Sequence, residues 1–398
     1  MAELLVRAGN ADARMLEKLF EGGVDTPDRV VVDAHVPATS ADLAAVAGAA
    51  GVPFMIDPQT YYFQDVQHAS DPWAGLPFAE PRAFTANELR NPARMADIVQ
   101  EVVDYQLSHN ATRIVAPYFH IEKSSNGWAQ VQTLAWRLTK AYLRDNEIAL
   151  PVTAVVALGW RCLPANIVNT ELAHYWAALR DFGPDEVAVA ASKVHAGTTA
   201  SGRLVDLLRL VGRLSQRHRV IMWSQGLLGE VCVVGGASGY ETGVGWRERC
   251  ELQSKMGEHR RPGTGHPAAR PVYISVLGRG IPKKTLEALT GGSRSLWGEL
   301  VCLDPTCCPP GARGLLRDAR AHSIRSRKRD LVTLASMPAN HWRWTYLSNR
   351  AQEGIRLAER INKARHRHDI ARIDTIQLEA LATVADLQRA RQRAVLPA

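Results

Sequence analysis

From about residue 29 the chain alternates short, nearly continuous apolar runs with stretches whose apolar positions recur every three or four residues. The runs are RVVVDAHV (29–36), VPFMIDPQT (52–60), TRIVAPYFHIE (112–122), LPVTAVVALGW (150–160), EVAVAASKVHAG (186–197), HRVIMWSQG (218–226), EVCVVGGASG (230–239) and PVYISVLGRG (271–280). Val and Ile dominate them, as in parallel strands buried on both faces. Between them, 93–107, 129–146 and 202–216 have the spacing of amphipathic helices. Eight runs with intervening helices predict a (β/α)8 TIM-type barrel, with a doubly wound open sheet as the competing architecture. Polar residues gather at the C-terminal ends of the runs: Asp57 and Gln59, His120 and Glu122, His195, Gln225 and Glu241. A barrel builds its site on that rim, whereas a dinucleotide-binding fold would place a G-x-G-x-x-G turn after its first strand, and none follows Val36.

The pattern divides the chain into an N-terminal segment (1–28), the barrel (29–298), a cysteine-containing subdomain (299–345) and a helical appendage (346–398). The polar segment 251–270 reads as a long loop before the last run. No apolar run reaches the ~18 residues of a membrane span, and the first residues lack an apolar signal core. These features predict a cytoplasmic protein with no membrane partner.

Composition changes this picture little. Of 398 residues 46% are hydrophobic and 22% charged, which suits a soluble globular chain rather than a disordered one. The formal charge of +8 permits nucleic-acid binding without requiring it. Much of the excess lies in 313–329, with Arg313, Arg317, Arg320, Arg325, Arg327, Lys328 and Arg329. Such a run is either a solvated helix face or a phosphate-binding surface. HWRWTYLSNR (341–350) sets aromatic rings beside arginines and suits either base stacking or core packing.

The cysteines carry the sharper chemistry. Cys302, Cys307 and Cys308 fall within seven residues, with His322 and His341 downstream. Three thiolates and one imidazole make a closed tetrahedral zinc site of the structural kind. Either histidine completes the set, and Pro309, Pro310 and Gly311 supply a turn after the adjacent cysteines. Asp57, ahead of Pro58, is a candidate general base, nucleophile or hydrogen-bond acceptor, or else a turn aspartate. In GGASGYE (235–241) the glycines permit close approach of backbone to a flat or anionic ligand, and Glu241 can accept hydrogen bonds from an N–H-rich heterocycle.

Taken together these segments resemble the tRNA-guanine transglycosylase superfamily. IDPQTYYFQ (56–64) resembles its D-S-G-G-F-Q strand-end motif with two extra residues. GGASGYE resembles its G-G-x-x-x-G-E turn, and RPVYISVLGRGIPKKTLEAL (270–289) resembles the strand and helix that follow. The cysteines, with His341 of NHW, resemble its C-x-C-x-x-C…H zinc site. The resemblance implies a barrel enzyme that exchanges guanine in DNA or tRNA for a 7-deazaguanine, through an aspartate nucleophile that attacks the ribose C1′. It casts Asp57 as the second, proton-handling aspartate. Glu241 and the amides of Gly235 and Gly236 become base contacts, with Gln59, His120, Glu122, His195 and Gln225 as further substrate contacts. The family's D-x-x-D-C stretch has no counterpart before the cysteines, so Asp304 stands as the candidate nucleophile unless the role lies elsewhere or is lost. HIE (120–122) stands where the family has D-E. A non-catalytic nucleic-acid-binding relative and a small-metabolite barrel hydrolase or lyase are the alternative readings.

Overall fold

The Val/Ile-rich runs have no polar face, so each strand needs cover on both sides, and a closed barrel ringed by helices supplies it. The protein is seen in a computed structural model that describes residues 1–65, 72–163, 170–245, 248–258, 270–292, 294–308, 312–368 and 372–395. Eight parallel strands pair in chain order: β1 (Glu3–Ala8), β2 (Arg29–Asp33), β3 (Phe54–Asp57), β4 (Ile114–Val115), β5 (Val152–Gly159), β6 (Glu186–Ser192), β7 (Arg219–Met222) and β8 (Gly239–Gly243). β8 returns to β1, with Glu241 opposite Leu5. A bridge between Met55 and Arg113 brings β3 to the start of β4, so the ring is nearly closed. Helices Ala13–Gly22, Asp42–Ala49, Pro92–Ser108, Trp128–Asp145, Thr170–Phe182 and Ala200–Leu214 alternate with the strands. This is the (β/α)8 TIM-type fold that the alternation predicts.

Three strand assignments differ from the pattern. The barrel begins at Glu3, inside the segment read as N-terminal to it. ELLVRA is a short run carrying a glutamate and an arginine, and both ionic residues are spent on buried pairs rather than on solvent. Most of the run 230–239 is a short helix, Gly229–Val234. Periodicity cannot separate a six-residue buried helix from a strand. Strand β8 begins after it at Gly239, where a Cβ would sit 2.4 Å from the Glu3 carbonyl oxygen. The run 271–280 forms an antiparallel hairpin outside the barrel, β9 (Val272–Ile274) with β10 (Arg279–Ile281).

That hairpin belongs to a second apolar cluster. Val272, Ile274, Ile281, Leu286, Leu300, Cys307, Cys308, Leu357, Ile361 and Leu378 pack together, apart from the barrel core. Helix Ala319–Ser336 then crosses back over the barrel. It packs against β1 and against helices Ala13–Gly22 and Gly229–Val234, covering the seam between β8 and β1. Two long helices, Asn340–His368 and Ile376–Val395, pack on each other and complete the C-terminal appendage. The segment read as a loop contains helix Leu252–Glu258; its remainder, 259–269, lies outside the described residues. No helix among the described residues is long and apolar enough to cross a membrane.

Candidate functional site

The C-terminal mouth of the barrel is organised around one arginine. Arg7, near the end of β1, is 5% exposed and meets three carboxylates. Its Nη1 lies 2.6 Å from Asp33 Oδ1, and its Nη2 2.8 Å from Asp57 Oδ2. Glu241 takes both Nε and Nη2 in a fork, the latter at 2.8 Å. The strands explain the convergence. Asp33 and Asp57 are register partners that end β2 and β3, while β8 flanks β1 on its other side. Burial alone would lower the Arg7 pKa, but Glu241 and Asp57 outweigh it and hold the guanidinium well above its ordinary value.

Asp57 is further held by donors. It accepts from the Tyr118 hydroxyl (2.9 Å), Trp223 Nε1 (3.1 Å) and the Gln59 amide (3.0 Å). Burial first, and then the Asp57 charge, push the Tyr118 hydroxyl well above its usual range, so it stays a donor. The Ser224 amide donates to Glu241 at 3.2 Å. Gln59, Lys193 and Ser224, at the ends of β3, β6 and β7, have φ of 49°, 62° and 54°. Left-handed backbone costs a non-glycine residue about 1–3 kcal/mol and collects where a site requires it.

The opposite part of the mouth is built on β4, β5 and β6. His120 is 2% exposed, and burial, then Lys193, lowers its pKa to about 4. Its Nε2 stands 3.7 Å from Glu122, which accepts from Arg161 at 2.9 Å. Gly159 makes room for that carboxylate, since a Cβ there would come within 2.4 Å of it. His195 faces Glu251 at 3.1 Å. Gln59 is tied to Trp73 Nε1, and the buried Gln225 amide donates to the Ala191 carbonyl at 2.6 Å.

Three sequence expectations are corrected. Gly235 and Gly236 precede β8 and lie at the end of the barrel remote from the mouth, beside Ser215. Their amides follow a helix C-terminus instead of facing Glu241. Asp304 is also remote. It pairs with Arg329, which reaches Asp25 in the loop leading into β2, so it sits toward the N-terminal end of the barrel. Its local task is a turn: its carbonyl accepts from the Cys307 and Cys308 amides, and Oδ1 accepts from the Thr306 amide. The cations of 313–329 are mostly engaged internally. Arg320 meets Asp12, Arg327 meets Glu248 and the Gly226 carbonyl, Lys328 meets Asp28 and Arg329 meets Asp25. The side chain of Arg313 lies outside the described residues.

The cysteine cluster can hold a metal ion. One ligand atom each from Cys302, Cys307, Cys308 and His322 lies within 4.8 Å of the others. His322 Nδ1 is 3.3 Å and 3.4 Å from the Cys307 and Cys308 sulfurs, and its Nε2 faces the Tyr273 carbonyl at 2.9 Å. That is the orientation of a ligating histidine whose second nitrogen is fixed by a carbonyl. His341 is not in the cluster; its ring lies against Trp342 on the long helix. The Pro309–Gly311 turn lies outside the described residues.

Sequence reasoning missed Arg7, Asp33, Tyr118 and Trp223. A lone arginine inside the apolar run ELLVRA was a usable signal, as was the identical ending of VVVD and FMID. No family model matches the chain, and no curated protein matches it. Among solved structures, one from Coccidioides immitis described as a fructose-1,6-biphosphate aldolase is 10% identical, covering 83% of this chain and 88% of its own, with a TM-score of 0.35. So distant a likeness says nothing about the chemistry of this mouth.

Proposed function

We propose that this chain is a nucleobase transglycosylase-like enzyme that exchanges guanine for a 7-deazaguanine in DNA or tRNA. The observation that carries the reading is the joint grip of Asp57 and Glu241 on Arg7 at the barrel mouth. Base exchange at C1′ needs one carboxylate to attack the sugar and another to move protons on the departing and entering bases. A purine edge rich in N–H groups also needs acceptors that remain ionised without water. The mouth gathers three carboxylates around one guanidinium.

Donors from Tyr118, Trp223 and the Gln59 amide fix the direction of the Asp57 carboxylate. Arg7 and the Ser224 amide together fix the Glu241 carboxylate. With Asp304 remote, the nucleophile falls to Asp33 or Asp57. The Cys302, Cys307, Cys308 and His322 set fits zinc: a tetrahedral ion with Zn–S of about 2.3 Å sets sulfur–sulfur edges of about 3.8 Å. The Cys307 and Cys308 sulfurs are 3.8 Å apart. Four protein ligands leave no open position, so the ion would tie the hairpin unit together and take no part in exchange.

The test is incorporation of labelled guanine into tRNA and into duplex DNA, with denaturing gels for a protein–nucleic acid adduct. The reading expects incorporation into one polymer. It expects an adduct absent in whichever of Asp33→Asn or Asp57→Asn removes the nucleophile. No incorporation into either polymer, with the protein loaded with about one zinc per chain, would discard it.

A further inference from the structure

The mouth is electrically polarised, and its second half has no part in the exchange chemistry above. Trp160, directly after β5, carries two guanidiniums: Arg203 Cζ lies 3.8 Å and Arg161 Cζ 4.8 Å from its ring centroid. Two cations on one indole repel each other, and the arrangement persists because each is anchored. Arg203 Nη1 donates to the Lys193 and Ala196 carbonyls, both at 2.8 Å, and Arg161 donates to Glu122. Lys193 Nζ, at the end of β6, donates to the neutral Gln253 amide oxygen at 3.0 Å. Buried behind them, His120 Nε2, Glu122 Oε2 and Arg203 Nε lack hydrogen-bond partners among the described residues. The facing acids are Glu122 and Glu251, against Arg161, Arg203 and Lys193; His120 and His195 complete the titratable groups there.

We infer that Trp160, Arg161, Arg203 and Lys193 form a phosphate-binding subsite at the β5–β6 edge of the mouth, which seats the phosphoryl group of the ligand whose base enters the acidic half. Guanidiniums that are held by carbonyls and an indole, yet leave N–H groups unspent, suit a phosphate through forked hydrogen bonds. The opposite half, with Arg7 among Asp33, Asp57 and Glu241, repels that group and accepts N–H donors. One ligand satisfies both halves at once when it carries a phosphate on one side and an N–H-rich heterocycle on the other. The inference rests on the proposed reading for the base, and it places the polymer backbone over β5–β6. It moves that contact away from 313–329, where Arg327, Lys328 and Arg329 are engaged by Glu248, Asp28 and Asp25.

The phosphoryl group is either a phosphodiester of a polynucleotide or the monoester of a small sugar phosphate, and binding separates them. Fluorescence anisotropy with a guanine-containing oligonucleotide, and competition by ribose 5-phosphate, are measured on the full chain and on Arg161→Ala and Arg203→Lys. Arg161 is exposed, so its variant folds; Arg203→Lys keeps the charge and removes the fork. Affinity ten-fold or more weaker in both variants supports the subsite. If the oligonucleotide is the ligand, the slope of log affinity against log salt should also fall by about one in Arg161→Ala. Ribose 5-phosphate binding that the variants weaken, without oligonucleotide binding, supports the subsite and removes the nucleic-acid reading. Exchange with unchanged KM in both variants overturns the subsite and leaves the exchange reading standing. Affinity for both probes unchanged by the substitutions also overturns it.

Discussion

The two ends of the barrel each bury an ionic cluster, and the clusters are built to opposite rules. At the N-terminal end Arg29 meets Glu186 at 2.9 Å and Glu3, and Arg219 meets the same two acids. Thr153 adds a hydroxyl to Glu186 at 3.3 Å, and the half-buried Arg113 stands nearby. Two acids are paired with two arginines there, and a third arginine stands beside them. At the mouth three acids share Arg7. A buried charge without a partner costs several kcal/mol, so folding alone would not favour an excess of carboxylates there. The paired end reads as a plug that holds the strand ends together. The acid-rich end is where the proposed exchange reading seats its ligand.

Substitutions break this comparison in a definite order. Arg7→Ala should have the largest effect, a loss of about 5 kcal/mol or no folded protein, because it strands three carboxylates in a dry site. Urea unfolding checks it, and a parent-like midpoint would mean that the acids are far better solvated than their burial indicates. Glu186→Gln should cost about 3–4 kcal/mol by leaving Arg29 and Arg219 with Glu3 alone, yet leave ligand affinity untouched at temperatures where the variant is folded.

Acid probes the mouth next. His120 is held neutral down to about 4 by burial and then by Lys193, against an ordinary 6.5. Below pH 6.5 the unfolded chain takes up a proton that the folded chain refuses, so stability falls as pH drops from 6.5 to 4. The full loss from this group is about 3 kcal/mol. His120→Gln should flatten that part of the curve; an unchanged slope would assign the acid sensitivity elsewhere. Asp33→Asn should have the smallest effect on folding, under about 1 kcal/mol in either direction, since it removes excess charge rather than a matched partner. A loss as large as that of Glu186→Gln would erase the distinction between the two ends.

Much of this architecture was legible in the residue pattern, and the failures have physical causes. The barrel followed from doubly apolar runs such as EVAVAAS, because only strands covered on both faces can be so uniform. β1 was missed because its Glu3 and Arg7 look like surface residues until the fold supplies their partners. The helix Gly229–Val234 reads as a strand because a short buried run carries no period. Within the site, Asp57, Glu241 and the three cysteines were visible as residue types at strand ends and close spacing. Asp304 and the glycine pair were misplaced because chain order does not say which end of a barrel a loop occupies. His322 could not be preferred over His341 until the helix Ala319–Ser336 set its imidazole against the thiols.

The most direct measurement is labelled-guanine incorporation by Asp57→Asn beside Glu186→Gln, both folded at the assay temperature. If the mouth acids serve a ligand and the plug serves the fold, Asp57→Asn loses at least about a hundred-fold in rate. Glu186→Gln should then stay within a few-fold of the parent. Equal rates in the two variants would contradict the division of labour between the ends of the barrel.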